Sequence, residues 1–326
     1  MTRSRRIGRL AVRRLLFGVP LVLGVSLATF ALAAASPFDP LEAYLRGVGD
    51  GLTEVEREAL RHTLGLDQSW IAAWWHWLTG ALTGDLGYSR AYHEPVAQVL
   101  ADRLGWTALL GLAGSVVAVT FALTLGAIAG LRAGGLVDRG ISALAVLLQA
   151  VPPFIVALGA VLVLAVTFRL FPSSGLTDPG AAVTAASAVR HLVLPALVLG
   201  ISQVPWLILG LREAIVAVAT SDPVRGARAR GLPRGVVERG HILPMAAAPF
   251  FALIGGRLPE LLIGATVVET VFAWPGLGDA TVDSARAMDF PLLAIVTVLT
   301  VGLVLLGNLA ADAAAIAVDP RIEADG

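Results

Sequence analysis

Residues 221–244 read SDPVRGARARGLPRGVVERGHILP and lie between two long apolar runs. Five arginines, Arg225, Arg228, Arg230, Arg234 and Arg239, fall in this one connector and are punctuated by Asp, Pro and Gly. Asp222 followed by Pro223 signals a helix start, because a carboxylate caps free N–H groups and Pro in the first turn loses no hydrogen bond. Residues 223–230 suffice for two turns, with Arg228 and Arg230 at the negative end of the dipole and Gly231 as a left-handed stop. Leu232 and Pro233 open a second short helix, PRGVVERGH, that leads into the next apolar run. The spacing thus predicts a helix–Gly–helix elbow. Gly226, Ala227 and Ala229 are expected to keep its surface low enough to enter a groove on another protein. Holding topology, the simpler role for clustered arginines, needs charge but neither a capped helix nor a glycine at a fixed offset.

The flanking runs define the solvent. The chain has 326 residues, 56% hydrophobic and only 15% charged, against about 25% charged in a typical soluble domain. A bilayer core about 30 Å thick needs roughly 20 apolar residues in helix. Six stretches qualify, at about 12–35, 105–131, 141–168, 191–219, 243–272 and 290–318. The first has the basic start and the ALAAAS of a secretory signal, but it is longer than the usual 7–15-residue apolar region and five more spans follow. An uncleaved first helix is the reading taken. All 24 basic residues are arginines, balanced by 24 acids, so no net field points to nucleic acid. With no cysteine, disulfides and thiolate metal sites are excluded.

Arginine placement sets the orientation. Arg3, Arg5, Arg6, Arg9, Arg13 and Arg14 precede span one, Arg132 and Arg139 lie between spans two and three, and the elbow joins spans four and five. The positive-inside rule makes that side cytoplasmic, with both termini. The division along the chain is then a basic N-terminus and first span (1–35), an external loop (36–104) and a core of five spans with the elbow at 222–241 (105–326). The external loop offsets its arginines with Asp39, Glu42, Asp50, Glu54, Glu56, Glu58, Asp67 and Asp85. Within it, Thr53 and Glu56 form a capping-box pattern. SWIAAWWHWLTGALTGDLG reads as a Trp-rich helix along the outer surface, the alternative being that Trp70, Trp74 and Trp77 stack on a ligand. His62, His76 and His93 show no metal-ligand spacing.

The elbow resembles the EAA loop of type I ATP-binding-cassette importer permeases, in the branch that imports dipeptides, oligopeptides and nickel. ARARGL (227–232) carries its motif glycine at Gly231 and His241 follows ten residues on, as in that branch; Arg225 stands at the name-giving glutamate position and Gly226 at the first alanine. The resemblance covers nearly the whole chain: LGLDQSWIAAWWHWLTGALTGDLGYS (64–89), VPPFIVALGAVLVLAVTFRLFPSSG, HLVLPALVLG, VVETVFAWPGLG (267–278), MDFPLL (288–293) and GNLAADAAAIAVDPRI follow in the family's order. Departures are SPFDP for the usual P-G-D-P turn, Ser69 for a Pro, and an additional Pro244 ahead of Pro249.

The resemblance implies an all-α polytopic membrane protein of the MetI-like fold with six transmembrane helices. It also implies partners: a second permease subunit, two ATPase subunits that bind ATP and Mg2+ and dock on the elbow, and an external solute-binding protein. Asp222, Arg225, Ala227, Arg228, Ala229, Gly231 and His241 are the expected ATPase-coupling residues. No phosphate-binding G-x-x-x-x-G-K-[ST] occurs, and no nucleophile–base pair or metal cluster has credible spacing, so neither a cofactor nor catalysis is expected on this chain.

Charges within spans usually face an interior or a cavity. Arg257 and Glu260, three apart in span five, can pair and either line a translocation pathway or tie the span to a partner subunit. Glu269, nearer the span's end, is grouped with them, with an interfacial or structural role as its alternative, as for Asp312 and the Arg212–Glu213 pair. Pro152, Pro153, Pro195 and Pro205 are expected to kink spans three and four. A self-contained secondary transporter or channel would show internal repeats and leave the elbow without a purpose; an intramembrane enzyme would need converging catalytic groups.

Overall fold

The computed structural model describes residues 3–37, 39–45, 53–63 and 66–318. Asp50, the first two residues of the LGLD segment (64–65) and the closing DPRI (319–322) lie outside them. Helix α1 (Arg3–Ala34) is followed by three short helices, α2 (Pro40–Leu45), α3 (Glu54–Thr63) and α4 (Trp70–Thr83), and by an antiparallel pair, β1 (Tyr88–Ser89) and β2 (Glu94–Pro95). Helix α5 (Val96–Phe121) passes through a π-helical turn, Ala122–Gly126, into α6 (Ala127–Leu131). Then come α7 (Leu136–Gln149), α8 (Pro153–Ala160) with a π-helical extension to Thr167, and the long α9 (Ala185–Ala219). The elbow holds α10 (Asp222–Ala229), α11 (Arg234–Val237) and a π-helical turn, Glu238–Ile242. It leads into α12 (Leu243–Gly256), α13 (Leu258–Phe272), α14 (Leu277–Ala287) and α15 (Phe290–Val318).

Among the described residues, four helical stretches are long and apolar enough to cross a membrane: Leu16–Ala34, Val96–Leu131, Ala185–Ala219 and Phe290–Leu309. The expected spans three and five are not continuous. Leu136–Gln149 and Pro153–Thr167 meet at 95°, and Arg234–Gly256 and Leu258–Phe272 meet at 49°, so the total is four spans, or six if each bent pair counts as one. The causes are local. Pro152 is extended (φ −57°, ψ 139°) because a residue before Pro avoids the helical region, and Pro153 restarts the helix. At the second break Pro259, in the first turn of α13, has no N–H to return to the preceding turn. Pro195 and Pro205 behave otherwise: both sit inside α9, which stays one continuous helix.

Two compact units form, one built on Ala108–Trp274 and the other on Arg13–Thr107 with Pro275–Leu305. In the first, α9 is the central element, with Leu194, Leu199 and Ile215 fully buried. Helices α5 and α6 approach it through small residues. A Cβ on Gly114 would meet Leu199 at 2.8 Å, one on Gly130 would meet Ile215 at 2.8 Å, and one on Gly200 would meet Val117 at 2.5 Å. Gly126 and Gly130 form a G-x-x-x-G step, the pattern that lets apolar helices approach at backbone distance where lipid supplies no hydrophobic drive.

In the second unit the expected capping box is present: the Thr53 N–H donates to the Glu56 carboxylate at 2.8 Å and the Glu56 N–H to Thr53 Oγ1 at 3.4 Å. Ser69 caps α4 through Ala72 N–H at 3.3 Å, a role the replaced Pro could not fill. Two of the three singled-out tryptophans serve packing. Trp74 Nε1–H donates to Ser26 at 3.1 Å, and the Trp77 ring lies 5.8 Å from Phe30. A cavity of about 590 Å³ lies beside them, lined in part by Trp70, His76, Arg90 and Phe290. The buried Asp289 of the MDFPLL segment accepts from Ser89 Oγ (2.6 Å) and the Ala91 N–H (3.1 Å), fixing the β1–β2 turn beside the start of α15. Arg103 donates to Asp279 and to the Gly276 carbonyl, both at 3.2 Å, and lies 4.4 Å over the Tyr92 ring.

Candidate functional site

The elbow forms as its residue types dictate, one position earlier than expected at its start. Ser221, extended at φ −70° and ψ 156°, occupies the cap position, and Asp222 is the first helical residue. The Asp222 carboxylate does not cap; it pairs with Arg225 one turn on. At the other end Gly231 adopts φ +75°, its N–H donating to the Arg228 carbonyl at 2.9 Å while Leu232 N–H donates to Ala227 at 3.4 Å. These are the two reverse bonds of a Schellman stop, and Leu232 supplies the accompanying apolar contact with the core.

The helix rests on Val224 and Ala227, both 0% exposed, in a cluster with Ile215, Val237 and Ile242. Ala227, expected from the sequence among the coupling residues, is thus packed against its own chain. Asp222, Arg225, Gly226, Arg228, Ala229, Arg230 and Gly231 are exposed, and His241 is half-buried. A Cβ on Gly226 would meet nothing within 4 Å. Arg234 braces the second half, donating to Glu238 at 2.6 Å and to the Leu131 carbonyl at 3.2 Å. A cavity of about 390 Å³ lies behind the elbow, between Gly130, Ile215, Arg228 and Glu238. Helix α11, the π turn and α12 follow one another directly, and α12 packs on α9.

The second candidate centre is the break in span five. Arg257 closes α12 and opens α13 (φ −93°, ψ 0°), so it sits at the 49° bend. It pairs with Glu260 at 3.2 Å, as its spacing predicts, and its guanidinium lies 4.7 Å over the Trp206 ring of α9. Gln203, one turn before Trp206, is 6% exposed beside it. Trp206 and Gln203 were not singled out by sequence; the signal available was the polar Ser202–Gln203 pair inside an apolar run. Glu269 is set apart from this centre by burial, at 0% exposure, so it faces packed protein here rather than an open path.

A third ionic contact was hidden from the sequence. Arg212 does not turn to its neighbour Glu213 but to Asp138 of α7, donating at 2.5 and 2.8 Å. Asp138 also accepts from the Gly134 N–H at 2.8 Å and from Ser142 at 3.2 Å.

Comparison with known proteins gives these features a family. Residues 122–324 match the family described as "Binding-protein-dependent transport system inner membrane component", and residues 7–111 its N-terminal counterpart. The oligopeptide transport system permease protein AppB of Bacillus subtilis (strain 168) is 32% identical over 96% of this chain and 98% of its own length. The dipeptide transport system permease protein DppB of Escherichia coli (strain K12) is 29% identical over 95% of this chain and 97% of its own. A solved inward-facing structure of the MetNI methionine ABC transporter covers 68% of this chain and 96% of that chain, with a TM-score of 0.57 at 19% identity, a likeness of fold.

Proposed function

The chain belongs to the family of binding-protein-dependent transport system inner membrane components, and from that premise we propose that the solute it passes is a peptide. It is the permease subunit of an ATP-binding-cassette importer, embedded in the cell membrane. The arginine distribution supports cytoplasmic termini and a cytoplasmic elbow. In the proposed cycle a second permease subunit completes the path, two ATPase subunits grip the elbows, and a solute-binding protein delivers cargo to the opposite face. Closure of the ATPases on ATP moves α10; the rigid link through α11 and the π turn turns α12 against α9 and switches access from one side to the other. ATP and Mg2+ stay with the ATPases, and no bond is made or broken by this chain. At the break in span five, Arg257 and Glu260 offer opposite charges to the termini of a passing peptide.

The observation that carries the coupling role is the exposed, Schellman-stopped α10 standing on buried Val224 and Ala227: a stiff projection whose outer face is left for another protein. Gly226 tests it, since a side chain there meets open space and adopts ordinary helical backbone. Gly226→Leu is expected to leave the chain folded and to abolish co-purification with the ATPase subunits. Undiminished co-purification and peptide-coupled ATP hydrolysis in that variant would reject docking on this face. Loss of uptake in Arg257→Leu is expected for a pathway residue; unchanged uptake kinetics would assign the pair a structural role.

A further inference from the structure

The cavity of about 390 Å³ behind the elbow stands where two membrane-crossing stretches stop. Val96–Leu131 and Ala185–Ala219 are both long and apolar enough to span a bilayer, and their final residues, Leu131 and Ala219, line it. The end of a span marks the depth at which hydrocarbon gives way to lipid headgroups. The elbow closes the other side, with apolar Val237 and with Arg228, Arg234 and Glu238, so the wall is part apolar and part polar. Outside it, Val236, beside Val237, and Leu136, five residues on from Leu131, are exposed apolar side chains. Water disfavours such groups, and the interfacial layer of a bilayer accepts them.

The charges on the wall do not cancel. Arg234 donates to Glu238 at 2.6 Å, so this pair is neutral as a unit. Arg228 is exposed, and among the described residues its side chain has no hydrogen bond or ion pair. Two arginines against one glutamate leave one positive charge, which favours an anionic headgroup over a zwitterionic one. The volume falls in the range of roughly 300–1,000 Å³ typical of small-ligand sites. It holds a headgroup and not the acyl chains, which stay in the bilayer.

We propose that this cavity binds the headgroup of an anionic phospholipid from the surrounding bilayer. The Arg228 guanidinium donates charge-assisted hydrogen bonds to the phosphate, for which its planar fork is suited. The apolar wall at Ala219 and Val237 meets the glycerol backbone and the first methylenes. The bound lipid then bridges the elbow and the ends of α6 and α9. Neither the cargo nor the direction of transport enters, so the site stands or falls apart from the peptide reading.

The test uses the full chain purified in detergent and native mass spectrometry to count bound lipid. Phosphatidylglycerol and phosphatidylcholine with the same acyl chains are titrated separately. One saturable site is expected, about fivefold tighter for phosphatidylglycerol. Arg228→Gln removes the charge at similar length and should weaken phosphatidylglycerol about fivefold, the factor of one arginine beside an anionic lipid, and narrow its preference. Arg228→Lys keeps the charge and should lose less. Arg230, exposed like Arg228 but not lining the cavity, is the control: Arg230→Gln should bind within twofold of wild type. Equal losses in Arg228→Gln and Arg230→Gln would mean diffuse attraction to a basic surface and overturn the site. Equal affinity for the two lipids would do the same. Binding of glycerol 3-phosphate as tightly as the lipid would give the cavity to a soluble phosphate ester, and displacement of bound phosphatidylglycerol by added ATPase subunits would give it to the motor; either result overturns the lipid.

Discussion

Arg212 of α9 grips Asp138 of α7 with two prongs, Nε at 2.5 Å and Nη2 at 2.8 Å, across 74 residues of chain. The Asp138 side chain is 3% exposed and also accepts from Gly134 and Ser142, so the carboxylate is buried with its lone pairs occupied. It holds the start of the broken span three against the helix that leads to the elbow.

Removing one partner of such a pair leaves a charge with nothing opposite it, which costs about 3–5 kcal/mol when both are buried. The Arg212 side chain is 31% exposed and can be partly hydrated, so Asp138→Ala is expected at or below the lower end, roughly 2–3 kcal/mol. The thermal midpoint of the detergent-purified chain should fall accordingly. Asp138→Asn, which keeps one acceptor for Arg212, should lose less.

The approach of α5 to α9 predicts a sharper intolerance. A Cβ at Gly200 would lie 2.5 Å from Val117 Cγ1, 2.6 Å from Val117 Cβ and 2.9 Å from the Gly114 carbonyl oxygen. Gly200→Ala should therefore destabilise by about 1–3 kcal/mol or more through forced backbone displacement. Trimming the neighbour should not rescue it: Val117→Ala leaves both the Cβ and the carbonyl contact in place. Melting temperatures of the single and double variants check both statements, and full recovery in the double variant would contradict this geometry.

A pH effect is expected in the unit built on Arg13–Thr107 and Pro275–Leu305. Burial raises the Asp279 carboxyl above its ordinary value, the hydrogen bond from Arg103 opposes this, and nearby Asp283 adds to the rise. The folded chain thus holds this proton to higher pH than the unfolded chain. Between the unfolded and folded values stability falls as pH rises, and what this group contributed at low pH is lost above them. Asp279→Asn should remove that slope while keeping an acceptor for Arg103. The check is thermal stability followed from acid to neutral pH, and an unchanged slope in the variant would assign it to another group.

Much of the elbow was legible because its signals are local. Pro in the first turn, Gly at the stop and Pro after it each act on the backbone within a few residues, and α10, the +75° turn at Gly231 and α11 follow in that order. The error at its start, Asp222 read as the cap where Ser221 stands, is the one-residue ambiguity that Ser-Asp-Pro leaves open. The burial of Ala227 was not legible because small size does not tell which face of a helix a residue occupies; it depends on where Ile215, Val237 and Ile242 come to lie. Span five was read as unbroken and span three as only kinked because apolar runs report length and not direction, although Pro259 marked the second break as Pro152 and Pro153 marked the first.

The amino-acid order by itself determined that this is a helical membrane protein with a capped, glycine-stopped connector, since hydropathy and turn chemistry act through solvent and through neighbouring peptide units. Tertiary packing alone decided that Asp138 meets Arg212, that Gly200 lets α5 approach to backbone distance, and that Gln203 and Arg257 line one small cleft. Those relationships join groups separated by 54 to 83 positions. Which of many polar side chains meet at such separations is set by the angle and depth at which whole helices pack, and no local pattern encodes it.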